Sequence, residues 1–213
     1  VQKLLAGTNI ALITDAGTPG ISDPGEELVK MAYEAGIEVT SLPGACACVT
    51  ALTLSGLSTR RFVFEAFLPP DKKEHKLALE RLKNETRTMI VYEAPHHLLK
   101  TLRELLETMG NRRLTLCREL TKKHETAWQT TLEDAIARYE QEDPKGECVL
   151  VIEGRSQKEI EDEAKAAFEE ISIEEHMKRY EDQGIARKEA MKLVAKDRGV
   201  TKRDIYQYLL GQE

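Results

Sequence analysis

A glycine- and proline-rich segment near the start of the chain constrains its fold most. Residues 10–14 are largely apolar and predict a β-strand, and residues 14–25 then contain three glycines and two prolines. Such a segment can continue neither a strand nor a helix, so the chain must turn there. In α/β sheets, ligands bind at loops that follow strand ends. The segment therefore predicts an α/β protein with a ligand-binding loop after its first strand.

The apolar pattern around this loop supports the α/β class. We expect a short helix at residues 1–5, strands at 10–14 and 38–42, and helices at 26–35 and from residue 45. Strands that alternate with helices in this way are typical of a parallel sheet.

A second α/β block follows residue 58. Its pattern predicts strands at residues 62–67, 88–92, 114–118, 127–131 and 147–152, and helices at 71–83, 95–109 and 132–141. We therefore place one domain at residues 1–58 and a second at residues 59–155.

The remainder, residues 156–213, predicts a helical module. Helices are expected at residues 157–170, 173–183, 186–198 and 201–210. Residues 184–211 should form a helical hairpin, in which Gly199 ends one helix and Thr201 caps the next. Its predicted packing positions are Ile185, Ala190, Leu193, Val194, Ile205, Tyr208 and Leu209.

Composition excludes several classes of protein. A net charge of -6 argues against a chain that coats nucleic acid indiscriminately, although a local basic patch can still bind it. No apolar run reaches the roughly 18 residues of a membrane helix, and no signal peptide is visible, so we expect a cytoplasmic protein. The four cysteines lack zinc-site spacing, and no other ligand cluster predicts a metal.

Two loops could bind a ligand through their backbones. In the first, glycines permit close approach and Asp15 could accept hydrogen bonds, although Ser22 or Asp23 could equally cap a helix at an ordinary turn. The second, residues 43–46, opens a helix whose free amides could bind a carboxylate. The alternative is that small residues there only allow tight helix packing. The first loop matches neither a dinucleotide-binding nor a phosphate-loop motif.

Charged groups follow two later strands. Tyr92 and Glu93 end one strand before Pro95, and Glu93 or His96 could contact a ligand hydroxyl. Residues 118–125 carry dense charge, where Arg118 and Lys122 could clamp RNA phosphates. The alternative is a solvated loop with weak surface ion pairs.

Taken together, these motifs resemble the ribosomal RNA small subunit methyltransferase I family of the tetrapyrrole methylase superfamily. The matching runs are residues 10–19, 22–25, 42–45, 92–96, 118–122 with Glu125, and 146–152. The resemblance implies two αβα domains, the first incomplete here, with S-adenosylmethionine in the cleft between them. The residues implied to bind this cofactor are Asp15, Gly17, Thr18, Pro19, Ile21, Gly44, Ala45, Cys46, Tyr92, Glu119, Leu120 and Leu150.

The implied reaction is 2'-O-methylation of a cytidine in small-subunit (16S) ribosomal RNA, by a homodimer. Asp15, Glu93 and Lys122 are candidates to assist the hydroxyl, and the sequence does not rank them. The family has a strand and a glycine-asparagine loop that do not occur in this sequence, so we expect weak cofactor binding by this chain alone. The predicted RNA-binding residues are Arg118, Lys122, Lys188, Lys192, Lys202 and Arg203.

Two other functions stay open. The superfamily also contains methyltransferases that act on porphyrin-like molecules, and the chain could be a non-catalytic RNA-binding module. The basic helices favour RNA, because they have an obvious use in phosphate contacts and none with a macrocycle.

Overall fold

The computed structural model describes residues 1–169 and 171–210. The chain divides into two compact units, Val1–Gly154 and Arg155–Glu213. Glu170, the predicted end of one helix, and residue 211, the predicted end of the hairpin, lie outside the described residues. The division into three domains stays a prediction.

The first unit contains a five-stranded mixed sheet. Its strands are β1 (Phe62–Phe67), β2 (Thr88–Glu93), β3 (Arg113–Arg118), β4 (Thr126–Thr131) and β5 (Cys148–Ile152). Their order is β1-β2-β5-β3-β4, in which β1 and β2 are parallel while β5 runs antiparallel to β2 and β3, and β4 antiparallel to β3. The five strands predicted for this block are confirmed.

Six helices accompany the sheet in the first unit. They are α1 (Gln2–Leu5), α2 (Glu26–Glu34), α3 (Ala47–Ser55), α4 (Lys72–Lys83), α5 (Pro95–Met109) and α6 (Leu132–Tyr139). The Asp71 carboxylate accepts hydrogen bonds from the first amides of α4, and Pro95 occupies the first turn of α5. Such local start positions explain why the predicted helices are confirmed.

The core of this unit lies on both faces of the sheet. Helices α4, α5 and α6 cover one face, where Leu98, Leu102 and Leu105 are fully buried. On the other face, α3 packs Ala51 and Leu52 against β2, β3 and β5. Burying a leucine side chain fully is worth roughly 2 kcal/mol, so the three leucines of α5 anchor that helix firmly.

The two strands predicted in the N-terminal region are not formed. Residues 10–14 and 38–42 have no strand conformation, and Ile13 and Leu42 are 84% and 83% exposed. A strand needs hydrogen bonds to a neighbour, and all strand pairs of the described residues lie within residues 62–152. The predicted parallel sheet of this region is therefore wrong, and the observed α/β sheet is mixed.

The second unit is helical, with α7 (Gln157–Glu169), α8 (Ile173–Glu181), α9 (Arg187–Arg198) and α10 (Lys202–Leu210). Helix α9 ends at Gly199 in the left-handed conformation, and the Thr201 hydroxyl accepts a hydrogen bond from the Asp204 amide. Both predicted hairpin signals are thus confirmed. The described helices of the chain include none with the length and apolar character that crossing a membrane requires.

The packing of the hairpin follows the prediction except at Leu193, which is half-buried but outside the core cluster of the unit, and at Tyr208. Ala190, Val194 and Ile205 are buried, and Ile185 and Leu209 pack against them. Tyr208 is instead 42% exposed. Ile205 and Leu209, one helical turn apart, occupy the inner face of α10, which leaves Tyr208 at its margin.

A buried histidine links the helices of this unit. His176 stacks on Phe168, its Nε2 lies 3.2 Å from an Asp197 carboxylate oxygen, and Arg198 Nε donates to its Nδ1 at 3.3 Å. Burial, assisted by the charge of Arg198, lowers the pKa of His176 below its ordinary value, while Asp197 opposes the shift. The folded unit therefore favours a neutral His176.

Candidate functional site

The two predicted ligand loops touch each other. The Thr18 amide donates to the Ala45 carbonyl oxygen at 2.9 Å, and the Thr18 hydroxyl donates to the same oxygen at 3.1 Å. This contact places the two loops close enough for one ligand to touch both.

Two glycines make the contact possible. Gly17 has a φ of +76°, and a Cβ atom there would lie 2.9 Å from the Ala45 oxygen. A Cβ on Gly44 would lie 3.0 Å from the Thr18 hydroxyl oxygen. Because any larger residue would push the loops apart, glycine is required at Gly17 by both conformation and space.

The second loop continues onto one face of the sheet. Cys46, Tyr92 and Leu120 all pack against the cluster that α3 forms with β2, β3 and β5. Since the first loop contacts Ala45, these residues lie around one region of the first unit. The structure thus brings together predicted residues from both loops, from the end of β2 and from the segment after β3.

Aromatic side chains surround Tyr92. Its ring meets Phe64 and Phe67 edge-on, with ring centroids 5.0 Å and 5.7 Å apart. A bulge in β1, where Ala66 has a φ of 54°, allows Phe64 and Phe67 to meet the same ring although they are three residues apart. This aromatic surface was not predicted. It depends on the bulge in β1, for which the sequence has no recognisable signal.

The groups beside Tyr92 stay protonated at neutral pH. Burial raises the pKa of the Tyr92 hydroxyl. Burial, together with the neighbouring Cys46 thiol 3.3 Å away, raises the pKa of Cys48 to about 11. Neither group can serve as a base there, but both can form hydrogen bonds.

Glu93 and Leu150 lie on the opposite face of the sheet. Glu93 is 8% exposed, accepts hydrogen bonds from the Thr101 hydroxyl at 2.6 Å and the Ala94 amide at 2.8 Å, and borders an open groove of about 870 Å³ between α4 and α5. Leu150 is buried under α5. Successive strand residues face opposite sides, so Glu93 cannot share the surface of Tyr92. The structure does not bring either side chain to the loops.

Arg118 also faces the helix-covered side. It pairs across the sheet with Cys148, which in turn pairs with Glu93. Burial raises the pKa of Tyr139, and the adjacent Arg118 opposes the shift. The Arg118 Nε atom is buried and, within the described part of the chain, has no hydrogen-bond partner. The half-buried guanidinium is therefore placed at the sheet end and not on an open RNA surface.

The segment after β3 is an ordered loop. Glu119 and Thr121 have left-handed φ values of 51° and 65°, and the Glu125 carboxylate accepts from the Thr121 amide at 2.6 Å. A residue other than glycine in the left-handed conformation lowers the free energy of unfolding by roughly 1–2 kcal/mol. Such strained positions cluster at functional sites. Lys122 Nζ lies 3.2 Å from the Glu119 carboxylate, an exposed pair that contributes little to stability.

The basic residues predicted on the hairpin lie on α9 and α10. Lys192 pairs with Glu189 at 2.8 Å. An open groove of about 680 Å³ is lined by Arg187, Lys188, Met191, Lys202, Arg203 and Tyr206. Tyr206 was not among the predicted residues, although its position one turn after Lys202 and Arg203 places it beside them on α10.

Comparisons with known proteins identify a family from the sequence and a similar fold among solved structures. A family model described as tetrapyrrole (corrin/porphyrin) methylases matches residues 1–136. In solved structures, the methyltransferase CobJ is similar in fold, with a TM-score of 0.56 and 18% identity over 71% of this chain and 67% of that one.

Relatives with the same name occur in several bacteria. The ribosomal RNA small subunit methyltransferase I of Synechocystis is 45% identical over all of this chain and 75% of its own length. The protein of the same name from Halalkalibacterium halodurans is 47% identical over 97% of this chain and 71% of its own length. The one from Escherichia coli O157:H7 is 40% identical over all of this chain and 73% of its own length. The chain therefore belongs to the ribosomal RNA small subunit methyltransferase I family, within the tetrapyrrole methylases.

Proposed function

We propose that this protein transfers a methyl group from S-adenosylmethionine to the 2'-oxygen of a cytidine in small-subunit (16S) ribosomal RNA. Family membership supports the reaction class. The observation that carries the assignment to particular residues is the contact between the loop of Gly17 and Thr18 and the loop of Gly44 and Ala45.

The residues present fit this methyl donor. Close packing at Gly17 and Gly44 brings the two loops together without side chains at these two positions, so a ligand could approach the backbone there. The N-terminal amides of α3 suit the donor's carboxylate, and the aromatic surface around Tyr92 suits its adenine. When bound, the donor supplies a methyl group already activated by a sulfonium. In this proposal Asp15, Thr18, Pro19, Ile21 and Cys46 line the same site, with Glu119 and Leu120 beside it.

The proton of the ribose hydroxyl needs an acceptor. We favour Asp15, because it is exposed on the same loop as Gly17. The Lys122 ammonium is paired with the Glu119 carboxylate, so it would orient phosphate or hydroxyl groups instead. Glu93 is held by Thr101 on the other sheet face, and we assign it a structural role at the start of α5.

We further propose that the helical hairpin of α9 and α10 docks the protein on the RNA through Lys188, Lys192, Lys202 and Arg203. Their charges would contact phosphates without reading sequence. The finer architecture, two αβα domains with the donor in the cleft between them, belongs to the same proposal, as do a homodimer and a cytoplasmic location, where ribosomal subunits occur.

A porphyrin-like substrate is the main competing proposal, since the matching family model carries that description. The experiment offers the protein S-adenosylmethionine with a labelled methyl group, together with either unmethylated small ribosomal subunits or a porphyrin. We expect label in the subunit RNA. Label in the porphyrin alone would contradict the proposal, and RNA binding without any transfer would support a non-catalytic module. The Gly17→Ala variant is the control for transfer at the proposed loops.

A further inference from the structure

The groove between α9 and α10 combines positive charge with an exposed aromatic ring. Tyr206, on α10, is 52% exposed, and Met191, on α9, is half-buried beside it. Arg187 and Lys188 border the groove from α9, and Lys202 and Arg203 border it from α10. Val194 and Ile205 are buried in the core of the unit and Met191 packs against that core, whereas Tyr206 is not part of it. Tyr206 is therefore not needed for packing of that core.

This arrangement has the chemistry of a site for unpaired nucleotides. Cationic side chains bind the phosphates, and an aromatic face stacks on a base that is not held in a duplex. The groove of about 680 Å³ is wide open to solvent, so a base of a single strand can reach the exposed ring. A solvated helix face needs the charges but not the exposed ring.

Two acidic residues lie close to the cations, Asp204, which accepts hydrogen bonds from Thr201, and Glu189, and neither lines the groove. The hydrogen bond from Lys192, together with the charges of Lys192, Lys202 and Lys188, lowers the pKa of Glu189. Glu189 is paired with Lys192 and is not among the residues that line the groove. The positive charge of the lining residues therefore faces the groove without an acidic group among them.

We infer that this groove binds an unpaired nucleotide of the substrate RNA, with the base stacked on Tyr206 and the flanking phosphates held by Lys188, Lys202 and Arg203. The inference rests on the proposed function, since it specifies how the docking hairpin recognises RNA. It assigns a base-contacting residue to a surface that otherwise makes only phosphate contacts.

The test measures affinity of the whole chain for a single-stranded oligouridine and for a duplex RNA of the same length. Stacking is worth enough that Tyr206→Leu should weaken binding of the single strand about tenfold and leave duplex binding unchanged. Tyr206→Phe keeps the ring and should bind normally. Because no charge is lost, the salt dependence should be the same in all three proteins.

Tyr208→Leu is the matched control, because Tyr208 is a second exposed tyrosine of α10 that does not line the groove. If Tyr206→Leu and Tyr208→Leu weaken binding equally, or if neither does, the inference is overturned. Methyl transfer to small ribosomal subunits is measured in parallel with the unsubstituted chain. Transfer without an effect of Tyr206 rejects only the stacking site, whereas an effect of Tyr206 without transfer rejects the proposed reaction.

Discussion

Replacing Gly17 by alanine tests whether the contact between the two loops holds the methyl donor. Alanine in the left-handed conformation of Gly17 costs about 1 kcal/mol. The added Cβ, 2.9 Å from the Ala45 oxygen, must also displace the acceptor of both Thr18 hydrogen bonds. The backbone bond contributes about 1 kcal/mol and the exposed hydroxyl bond about 0.5 kcal/mol.

The sum, about 2.5 kcal/mol, predicts a loss of S-adenosylmethionine affinity of roughly 60-fold. Because residues 15–21 lie outside the buried core, the cost should appear in binding and hardly in the melting temperature. Calorimetric titration of the donor into the unsubstituted and variant chains measures it.

Gly20→Ala is the control. Gly20 has a φ of +80°, but the structure places no described atom within 4 Å of its Cβ position. This variant carries the conformational cost alone, so its affinity should fall by no more than about fivefold. Equal losses in the two variants, or an undiminished affinity of Gly17→Ala, would refute the idea that the loop contact shapes the site.

Three further predictions follow from the structure. Thr101→Val removes a hydrogen-bond donor from the buried Glu93 carboxylate and should lower the free energy of unfolding, measured in urea titrations, by about 2 kcal/mol. The control is Thr108→Val, whose hydroxyl donates to a carbonyl oxygen of its own helix and should cost under about 0.5 kcal/mol. Equal costs would contradict the structural role of Glu93. The pKa of His176 in the folded protein lies below its ordinary 6.5, so the unfolded state binds more protons and the free energy of unfolding falls as the pH drops below that value. Between pH 6.5 and about pH 5, the melting temperature of His176→Gln should therefore fall less than that of the unsubstituted chain. An equal fall in both proteins would exclude His176 as its cause. Glutamine at the four basic positions of the hairpin that we propose to bind RNA, Lys188, Lys192, Lys202 and Arg203, should weaken binding to the small subunit without changing donor affinity. The slope of log affinity against log salt should fall by about 3, and an unchanged slope would exclude these residues as the docking surface.

Local chemistry made most of the elements predictable from the sequence. Asp71, Pro95 and Gly199 begin or end helices through bonds and conformations within a few residues, so the bounds of these helices follow from the sequence. Residues 10–14 and 38–42 were predicted as strands from the same kind of apolar pattern as the strands that form. These two predictions are wrong because a strand depends on a hydrogen-bonding partner that is distant in sequence, and an apolar run does not reveal that partner.

The site was predictable where backbone conformation determines it and less so where side-chain direction does. Gly17 and Gly44 predict that the backbone is closely approached at these positions, and the structure shows the two loops packed there. Glu93 was grouped with Tyr92 because they are adjacent, yet adjacent strand residues face opposite sides. Applying that alternation along β2 would have separated them. The bulge that gathers Phe64 and Phe67 around Tyr92 depends on pairing with β2 and has no local sequence mark.

Locating the transferred methyl group is the most direct test of the proposed reaction at these loops. Small ribosomal subunits that lack the modification are incubated with the protein and S-adenosylmethionine, and their RNA is digested to nucleosides for mass spectrometry. The account predicts that 2'-O-methylcytidine appears with the unsubstituted chain and falls sharply with Gly17→Ala at low donor concentration. A methyl group on a base, or equal 2'-O-methylcytidine from both proteins at that donor concentration, would contradict it.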